Sequence, residues 1–472
     1  MNFKNLVFLS VFSFALCEVW EGYTIYTPFS SVWGTSTFLL NTEGEVIHTW
    51  NHESGPASMP YLRQDSSIVY PYLVDNPSMI AGGVGGGIQI ISWDGSILWD
   101  YEISNTNFQH HHDVQPLPNG NILAIAWERK TALEAYDLGR EVINNPINQM
   151  WSEVIFELEP IGDDDANIVW EWHLWDHLIQ DVDTLYPNYG IISEHPELFN
   201  INQGNVGSET SSNADWIHLN SIDYNEELDQ IVISSKLQDE IFIIDHSTST
   251  AEAASHTGGH CGNGGDFLYR WGNPQNYERG TIADKQLDNQ HGINWIDPSY
   301  PGGGNLLVFN NGYTQLISAV YEWETPLNND GCYELFDNEP FGPVETTWMH
   351  SENYQSERQS GAFRLGNGNT LITDSNSLRI IEVNNDGEIQ WEYNYIGDLN
   401  LIPRAQKYSI NYLEVDILLG DVNNDGVINI LDVVSTVNIV LGFADWVDSA
   451  DYNGDGIINV LDIVSIVNVI LS

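Results

Sequence analysis

The feature that most constrains the fold of this chain is a recurring pair of aromatic residues at the ends of short predicted strands. The surrounding segments alternate apolar and polar side chains across tight Gly, Asn or Asp turns, as in WDGSILWDY and NNDGEIQWEY. The pairs are Trp99/Tyr101, Trp170/Trp172, Tyr269/Trp271, Tyr321/Trp323 and Trp391/Tyr393, and the segment that ends at Trp50 is a weaker sixth copy. Repeated four-stranded units of this kind close radially, because a ring leaves few exposed strand edges. The sequence therefore predicts an all-β propeller of about six blades.

A two-sheet sandwich is the alternative, but the strand-rich region from Glu21 to about Tyr408 is too long for one sandwich. The inserted segment KTALEAYDLGREVINNP is predicted to be helical. The Gly-rich segment from Ala81 to Ile90 is not a phosphate-binding loop, since no helix with Lys and Ser or Thr follows it. Its glycines instead predict that the backbone passes close to the centre of the ring.

The charge of the chain excludes some partners. The formal net charge is −53, from 14 basic and 67 acidic residues. Such a field repels nucleic acids and anionic lipid surfaces. An anionic small substrate would therefore need a locally positive pocket.

The first 17 residues have the pattern of a secretory signal peptide, with one Lys, an apolar run and small residues near Cys17. That run is too short to span a membrane. We therefore expect a soluble secreted product, extracellular or periplasmic, with display at a cell surface as a further option. Cys261 and Cys332 remain, either as one disulfide or as two free thiols.

Two copies of a loop-and-helix motif end the chain, in a region that contains no Lys or Arg after Lys407. Oxygen ligands stand at positions one, three, five, seven, nine and twelve of each loop, which is the spacing that calcium requires. Neither loop contains the His or Cys that zinc prefers. The predicted ligands are Asp421, Asn423, Asp425, Val427, Asn429 and Asp432 in the first loop, and Asp451, Asn453, Asp455, Ile457, Asn459 and Asp462 in the second.

This pair of F-hand loops resembles a type I dockerin module, since Asp rather than Glu closes each loop and a single helix follows it. The resemblance implies structural Ca²⁺ and a cohesin-bearing scaffold protein as partner. The alternative is that calcium serves only to fold the module. The predicted domains are a signal peptide at 1–17, the propeller at 18–410, a linker at 411–419 and the dockerin module at 420–472.

Histidines recur in unusual local settings within the strand-rich region. His110, His111 and His112 are consecutive, and alternation along a strand predicts that only His110 and His112 share a face. His218 and His291 each stand early in a different predicted blade. Because innermost strands line the central channel of a propeller, these residues are expected to converge there. Three histidines would also suit zinc or copper, with Asp113 as the hydrogen-bond partner of a ligating imidazole, although the spacing is not a local metal motif.

Several segments resemble the arylsulfate sulfotransferase family in family order: GYTIYTP, HHDVQPLPNGNILAIAWERK, DWIHLNSIDYNEELDQIVISS, FLYRWGNP, QHGINW and LLVFNNG. The resemblance implies a six-bladed propeller that moves a sulfuryl group from an aryl sulfate to a phenol. It also implies a route independent of the nucleotide donor PAPS, through a sulfohistidine intermediate and without a catalytic cofactor.

By the same resemblance, His291 is the nucleophile, and His218 and Asn220 hold or protonate the sulfate oxygens. His112, or its neighbour His111, completes the histidine set. Lys236 stands where the family commonly has Arg, and keeps the charge but not the bidentate fork. A non-catalytic propeller that binds a sulfated or aromatic ligand is the alternative, because a fold does not determine a function.

Overall fold

The computed structural model describes residues 18–29, 34–397, 399–413, 419–423, 427–444, 446–454 and 456–471. The predicted signal peptide and most of the predicted linker lie outside these ranges. The chain divides into two compact units, Met1–Ile410 and Asn411–Ser472.

The first unit is a propeller of six four-stranded antiparallel blades, which confirms the predicted ring and excludes the sandwich. Three strands of the first blade begin the unit: β1 (Gly22–Tyr26), β2 (Thr35–Leu40) and β3 (Val46–His52). The second blade contains β4 (Tyr61–Leu62), β5 (Ile68–Leu73), β6 (Gly86–Ile91) and β7 (Ile97–Glu102). The third contains β8 (Phe108–Pro116), β9 (Ile122–Thr131), β10 (Gln149–Ile161) and β11 (Asp165–His173).

A short parallel pair, β12 (Leu178–Ile179) and β13 (Phe199–Asn200), precedes the fourth blade. That blade contains β14 (Leu219–Asn225), β15 (Gln230–Ser235), β16 (Glu240–Asp245) and β17 (Tyr269–Trp271). The fifth contains β18 (His291–Trp295), β19 (Leu306–Asn310), β20 (Ser318–Trp323) and β21 (Trp348–Tyr354). The sixth contains β22 (Gly361–Arg364), β23 (Thr370–Asp374), β24 (Arg379–Val383) and β25 (Ile389–Asn394).

The ring is closed by β26 (Ala405–Ser409), which pairs with β1 from Tyr26↔Ala405 to Gly22↔Ser409 and becomes the innermost strand of the first blade. Both ends of the propeller sequence therefore share one sheet. This closure leaves the inner edges facing the centre, where β8, β14 and β18 are neighbours.

Tryptophans of the recurring aromatic segments, together with Trp348, connect each of the first five blades to the next. Tryptophans on the outermost strands donate their indole N–H to a carbonyl oxygen of the following blade at 2.7–3.1 Å: Trp50 to Ser92, Trp99 to Asp165, Trp172 to Gly265, Trp271 to Pro343 and Trp348 to Asn385. A hydrogen bond of this type contributes about 0.5–1.5 kcal/mol beyond the apolar burial of the ring. The motif is thus an inter-blade contact.

One aromatic pair does not occupy the outermost strand. Tyr321 and Trp323 lie on β20, the third strand of the fifth blade, because β21 is added outside it. Trp323 stacks on Trp271 of the preceding blade with ring centroids 4.0 Å apart, and its indole N–H donates to the Tyr269 hydroxyl.

Helices are few in the described part of the propeller. The predicted helical insertion forms α1 (Ala132–Asp137), which begins at Thr131 with a capping box, and α2 (Thr250–Ala253) begins at Ser249 in the same way. Short 3₁₀ helices span Leu174–Asp176, Ile192–Glu194, Pro274–Tyr277 and Ile282–Asp284. Cys261 and Cys332 form a disulfide, which decides between the two open alternatives.

The second unit contains α3 (Ile430–Val440) and α4 (Val460–Leu471), each preceded by a loop, with a 3₁₀ turn at Asp448–Ala450. Its small core is formed by Val422, Val433, Ala450 and Ile466. None of the helices among the described residues has the length and hydropathy that a membrane crossing requires.

Candidate active site at the centre of the ring

The histidines selected from the sequence meet at the inner strands. His110, His111 and His112 lie on β8, His218 immediately precedes β14, and His291 opens β18. The rings of His112 and His218 are 4.6 Å apart between centroids, and His291 is close enough to His112 to influence its charge. The prediction that distant segments converge at the hub is therefore confirmed by the geometry.

A residue with left-handed backbone conformation lies in or next to each of the three inner strands. His112, His218 and Gly292 have φ values of 54°, 57° and 69°, in the left-handed region. The ladder registers shift at these points, between His110 and Val114 on β8, and correspondingly on β14 and β18. A bulge of this kind redirects side chains next to the irregularity.

The bulge on β8 makes the prediction from strand alternation wrong. His111 and His112, rather than His110 and His112, point to the same place, and their Nδ1 atoms are 2.9 Å apart. The left-handed backbone at His112 cancels the alternation on which the prediction depended. His110 instead accepts a hydrogen bond on Nδ1 from the Gly86 amide, away from this pair.

The Gly-rich segment packs directly against these rings, as predicted. A Cβ on Gly83 would lie 1.9 Å from His112 Nε2, and one on Gly82 would lie 3.3 Å from His218 Cε1. The amide of His112 also donates to the Gly83 carbonyl at 2.7 Å. Glycine at position 83 is therefore required by both its φ of +74° and the histidine ring.

The orientation of His291 is fixed by its Nδ1 atom. This atom lies 3.0 Å from the Asn289 carbonyl and 2.8 Å from Asn311 Oδ1, and both partners are acceptors. The amide nitrogen of Asn311 donates to the main-chain oxygens of Ser356 and Gln359, which fixes the assignment of Oδ1. Nδ1 therefore carries the proton, and Nε2 keeps its lone pair.

Burial keeps His291 neutral. Desolvation lowers the pKa of His291 to about 3, and the positive charge of Lys236 acts in the same direction. The residue retains 3% exposure, and its Nε2 makes no hydrogen bond to any described residue. The arrangement presents an unprotonated imidazole nitrogen at the centre of the ring.

His218 is paired with a buried aspartate. Its Nδ1 lies 2.5 Å from Asp215 Oδ2, and Asp215 Oδ1 accepts a hydrogen bond from the Trp127 indole. Burial raises the pKa of Asp215, but the attraction of His218 outweighs it and the net pKa is lowered. An ionised Asp215 therefore faces the ring of His218 and accepts a hydrogen bond from its Nδ1–H.

A buried chain of hydrogen bonds leads from His112 to an acidic residue that the sequence interpretation missed. His111 Nε2 lies 2.9 Å from Glu153 Oε2, while Glu153 Oε1 accepts from the Leu219 amide. Burial, and then the charge of Asp215, raise the pKa of Glu153 well above its usual range. A protonated Glu153 donates to His111, which donates to His112 and leaves the Nε2–H of His112 as a donor at the site.

The pKa of His112 is well below its usual range, because of burial and then of neighbouring His218. A protonated His112 is thus disfavoured before an anion binds. His111 stacks on Trp127, and burial lowers its pKa to about 3 as well.

Asn220 is buried beside the nucleophile rather than free. Its Nδ2 donates to the Gln290 carbonyl at 2.7 Å, and its Oδ1 accepts from the Ser221 hydroxyl. Asn220 therefore holds the residue that precedes His291, and the second N–H of its amide is left for a ligand.

Lys236 is half-buried and makes no ion pair or side-chain hydrogen bond to the described residues. Its amide donates to the His218 carbonyl at 3.1 Å, so the residue is anchored beside the histidines. Desolvation lowers the pKa of its ammonium group. A lysine in this setting supplies a positive charge to an anion in the site.

A layer of buried charge supports this centre. Asp113 Oδ2 pairs with the Arg404 guanidinium at 2.7 Å, and the Tyr61 hydroxyl donates to Asp113 Oδ1. Asp113 is thus committed to a salt bridge rather than to a metal-bound histidine. Burial raises the pKa of neighbouring Asp223 to about 7.

Metal-ligand geometry among the described residues occurs away from this centre, where His177, His256 and Asp266 bring their ligand atoms within 4.8 Å of one another. There Asp266 Oδ1 lies 2.7 Å from His177 Nδ1 and 2.8 Å from His256 Nδ1. The central histidines form no comparable group among the described residues.

The second unit contains the predicted calcium loops, of which Asp425 and Asp455 lie outside the described residues. Asp432 and Asp462 are fully buried, although this part of the sequence contains no Lys or Arg. Each carboxylate accepts only main-chain N–H groups among the described residues, including those of Asn429 and Asn459 respectively. A buried carboxylate requires a compensating positive charge, so these oxygen donors fit a hard cation.

Comparison with known proteins identifies one family. A family model described as Arylsulfotransferase (ASST) matches residues 30–325, more than half of the chain and the part that contains the central histidines and Lys236. No curated protein matches the chain.

Among solved structures, a protein of unknown function from Bacteroides caccae is 12% identical, with 82% of this chain and 98% of that chain covered and a TM-score of 0.43. The periplasmic gluconolactonase PpgL from Pseudomonas aeruginosa is 10% identical, with 83% and 99% covered and a TM-score of 0.40. Likeness at this level carries no functional argument.

Proposed function

This chain belongs to the arylsulfotransferase family, and we propose that it transfers a sulfuryl group from an aryl sulfate to a phenolic acceptor through a sulfohistidine at His291. No nucleotide sulfate donor takes part in the proposed route. Family membership supports aryl sulfotransfer in general, and the arrangement of the central histidines supports the covalent route.

The observation that carries the proposal is the state of His291. Its Nδ1–H is held by two acceptors, so the Nε2 lone pair is directed away from them and stays unprotonated. A neutral imidazole of this kind is a competent nucleophile near neutral pH. The ammonium group of Lys236, which pairs with no carboxylate among the described residues, supplies the positive charge that an anionic donor needs in a chain of net charge −53.

In the proposed first step, His291 Nε2 attacks the sulfur of the aryl sulfate. An N–S bond forms, the S–O bond to the ring breaks, and its electron pair leaves on the phenolate oxygen. Protonated His218 gives its proton to that oxygen, and Asp215 stabilises the charge on His218. Lys236, the Nε2–H of His112 and the remaining N–H of Asn220 stabilise the sulfuryl oxygens.

In the second step, the acceptor phenol binds in place of the released phenol. Its proton passes to His218 while its oxygen attacks the sulfur. The N–S bond breaks and its electron pair returns to His291 Nε2, which restores the starting state.

A chromogenic aryl sulfate with and without a phenol acceptor tests the proposal. We expect acceptor-dependent colour release that is lost in His291→Ala, while His195→Ala, a partly exposed histidine, behaves as wild type. Intact-mass analysis after donor exposure should show one added sulfuryl group on a peptide that contains His291. Continued colour release without acceptor, beyond the one equivalent that accompanies sulfation of His291, would indicate a sulfatase and contradict the proposal.

The second candidate is a propeller that binds a sulfated or aromatic ligand without turnover. The unpaired Lys236 would serve that role equally well. Ligand binding that persists in wild-type protein with neither colour release nor mass gain would favour this candidate.

For the second unit, we propose a dockerin-like module whose loops bind Ca²⁺ and whose partner is a cohesin-bearing scaffold protein. Asp432 and Asp462 support the cation, because both are buried and have no cationic partner among the described residues. When bound, Ca²⁺ would be held by the loop oxygens and would neutralise these carboxylates. A purely structural role for the ion remains the alternative.

We also propose that the protein is secreted. The predicted signal peptide at residues 1–17 motivates this proposal, and the Cys261–Cys332 disulfide supports an oxidising compartment. Mass spectrometry of the protein from its native source would show whether its N-terminus follows Cys17.

A further inference from the structure

The basic side chains of this acidic chain are almost all committed to partners. Arg270, Arg364, Arg404 and Lys407 are buried against carboxylates, and Arg140 and Arg279 bind main-chain oxygens. Among the described Lys and Arg residues, only Lys236 and Arg358 make neither an ion pair nor a side-chain hydrogen bond. Two uncommitted cations in a chain with 67 acidic residues require an explanation.

These two cations are neighbours. The charge of Arg358 acts on Lys236, and Lys236 in turn acts on His291 and His112. Like charges repel, and although Asp215 and Asp239 attract Lys236, neither cation forms an ion pair with a carboxylate among the described residues. The repulsion is relieved when an anion binds between or beside them.

The segment that carries Arg358 is tied to the nucleophile. Asn311 accepts from His291 Nδ1 through its Oδ1, and its amide group donates to the main-chain oxygens of Ser356 and Gln359, on either side of Arg358. The Ser356 amide donates to the Ser318 hydroxyl, so the segment is further anchored to the fifth blade. Arg358 is thus presented on a fixed turn and its side chain is exposed.

Close packing holds the other end of this turn. Ser360 adopts a φ of 83°, and its amide donates to the Pro403 carbonyl. A Cβ on Gly292 would lie 3.0 Å from the Ser360 carbonyl oxygen, so the turn rests directly on the residue that follows the nucleophile. The position of Arg358 relative to His291 is therefore defined by contacts on both sides.

We propose that Arg358 is the outer cation of an anion subsite whose inner cation is Lys236, and that this subsite captures the organic sulfate monoanion before it reaches His291. The inference rests on the proposed function, since it names the recognition step of the same site. Arg358 lies outside the segment that the family model matches. The planar guanidinium offers a fork that fits two sulfate oxygens, whereas Lys236 acts as a point charge.

The test compares Arg358→Gln and Arg358→Lys with Arg63→Gln. Arg63 pairs with Asp65 at 3.6 Å and is a partly exposed arginine, so its replacement removes the same charge elsewhere. Binding of inorganic sulfate is measured by calorimetry at low and high ionic strength, and the Michaelis constant is measured with a chromogenic aryl sulfate. Thermal melting of each variant checks folding.

We expect Arg358→Gln to weaken sulfate binding about two- to fivefold at low salt, with a smaller loss at high salt because screening already weakens the pair. The KM for the aryl sulfate should rise by a similar factor, and Arg358→Lys, which keeps the charge but loses the fork, should lie between wild type and Arg358→Gln. Arg63→Gln should have a smaller effect. Equal losses in the two Gln variants, or wild-type binding by Arg358→Gln, would overturn the subsite.

The binding measurement separates this inference from the proposed function. If the wild-type protein transfers no sulfuryl group but Arg358→Gln still weakens sulfate binding, the subsite stands and the transferase proposal fails. If the wild-type protein transfers the sulfuryl group but Arg358→Gln binds sulfate as wild type does, the transferase proposal stands and the subsite fails.

Discussion

Replacement of Glu153 tests the proton arrangement that connects this buried residue to the active site. Glu153 is fully buried, with Oε2 facing His111 Nε2 at 2.9 Å and Oε1 accepting from the Leu219 amide at 3.1 Å. Burial raises the pKa of its carboxyl well above the usual range, so the protonated acid donates to His111. His111 then donates to His112, whose Nε2–H is left for the substrate.

Glu153→Gln preserves this pattern. The amide oxygen still accepts from Leu219, and the amide N–H donates to His111 Nε2 as the protonated acid does. We therefore expect stability within about 1 kcal/mol of wild type, or a melting temperature lowered by at most about 2–4 °C. The kcat/KM for an aryl sulfate should stay within about tenfold of wild type, since the donor on His112 is kept.

Glu153→Leu removes both partners. His111 Nε2 and the Leu219 amide are left buried and unsatisfied, at about 1–3 kcal/mol each, so the expected loss of stability is about 2–6 kcal/mol. His111 is then free to take the other tautomer, and His112 loses its defined donor. Thermal or urea unfolding and steady-state kinetics on both variants provide the comparison.

The reasoning fails if Glu153→Gln is as damaging as Glu153→Leu. An ionised Glu153 would instead accept a hydrogen bond from the Nε2–H of His111. In Glu153→Gln, the side-chain N–H would then face that Nε2–H, unless the hydrogen bonds from residue 153 through His111 to His112 reversed their direction. The pH dependence of kcat/KM gives a second reading, because only an ionisable residue 153 can contribute a titration that the Gln variant lacks.

Three further predictions follow from the described contacts. Gly83→Ala should abolish transfer and destabilise the propeller, because its Cβ would overlap the His112 ring. The control is Gly95→Ala, where φ is similar at +86° and no atom lies within 4 Å of the added Cβ, so the loss of stability should be only about 1 kcal/mol. Activity and melting temperature of the two variants provide the comparison. Burial lowers the pKa of His246, but hydrogen bonds to Asp229 and then Glu157 outweigh burial and raise it to about 9, so its stabilisation is complete below pH 6.5 and lost as the pH rises through 9. His246→Gln should therefore be less stable than wild type at pH 6, with the gap closing near pH 9.5, and a gap that is constant with pH would contradict the assignment. Chelation of calcium from the full chain should reduce helical circular dichroism from residues 420–472 and leave the propeller folded, and unchanged helix content under chelator would argue against the calcium loops.

Much of the fold could be predicted because blades are built from local signals. Alternating side chains, tight turns and the aromatic pairs act within about ten residues, so they are legible without tertiary information. The pair on β20 shows the limit of this reasoning. Nothing local indicates that β21, more than twenty residues later, adds a further strand outside it.

The residues of the candidate site could be predicted from the sequence, but the hydrogen bonds that connect them could not. His291, His218, His112, Asn220 and Lys236 were all selected from the sequence, and the ring brings them together. Asp215 stands three residues before His218, and this spacing was a usable signal that the interpretation did not take up. Glu153 and Arg358 carried no local signal, since each reaches the centre only through the closure of other blades.

The sequence by itself determined that strands of one repeating type would close into a ring, and that histidine-bearing segments would begin several of its blades. The tertiary structure alone decided which nitrogen of each imidazole is free, which carboxylate stands behind it, and which cations remain unpaired. The physical reason is range: strand periodicity arises from neighbours along the chain, whereas a proton's position depends on acceptors that arrive from distant strands through left-handed turns and bulges.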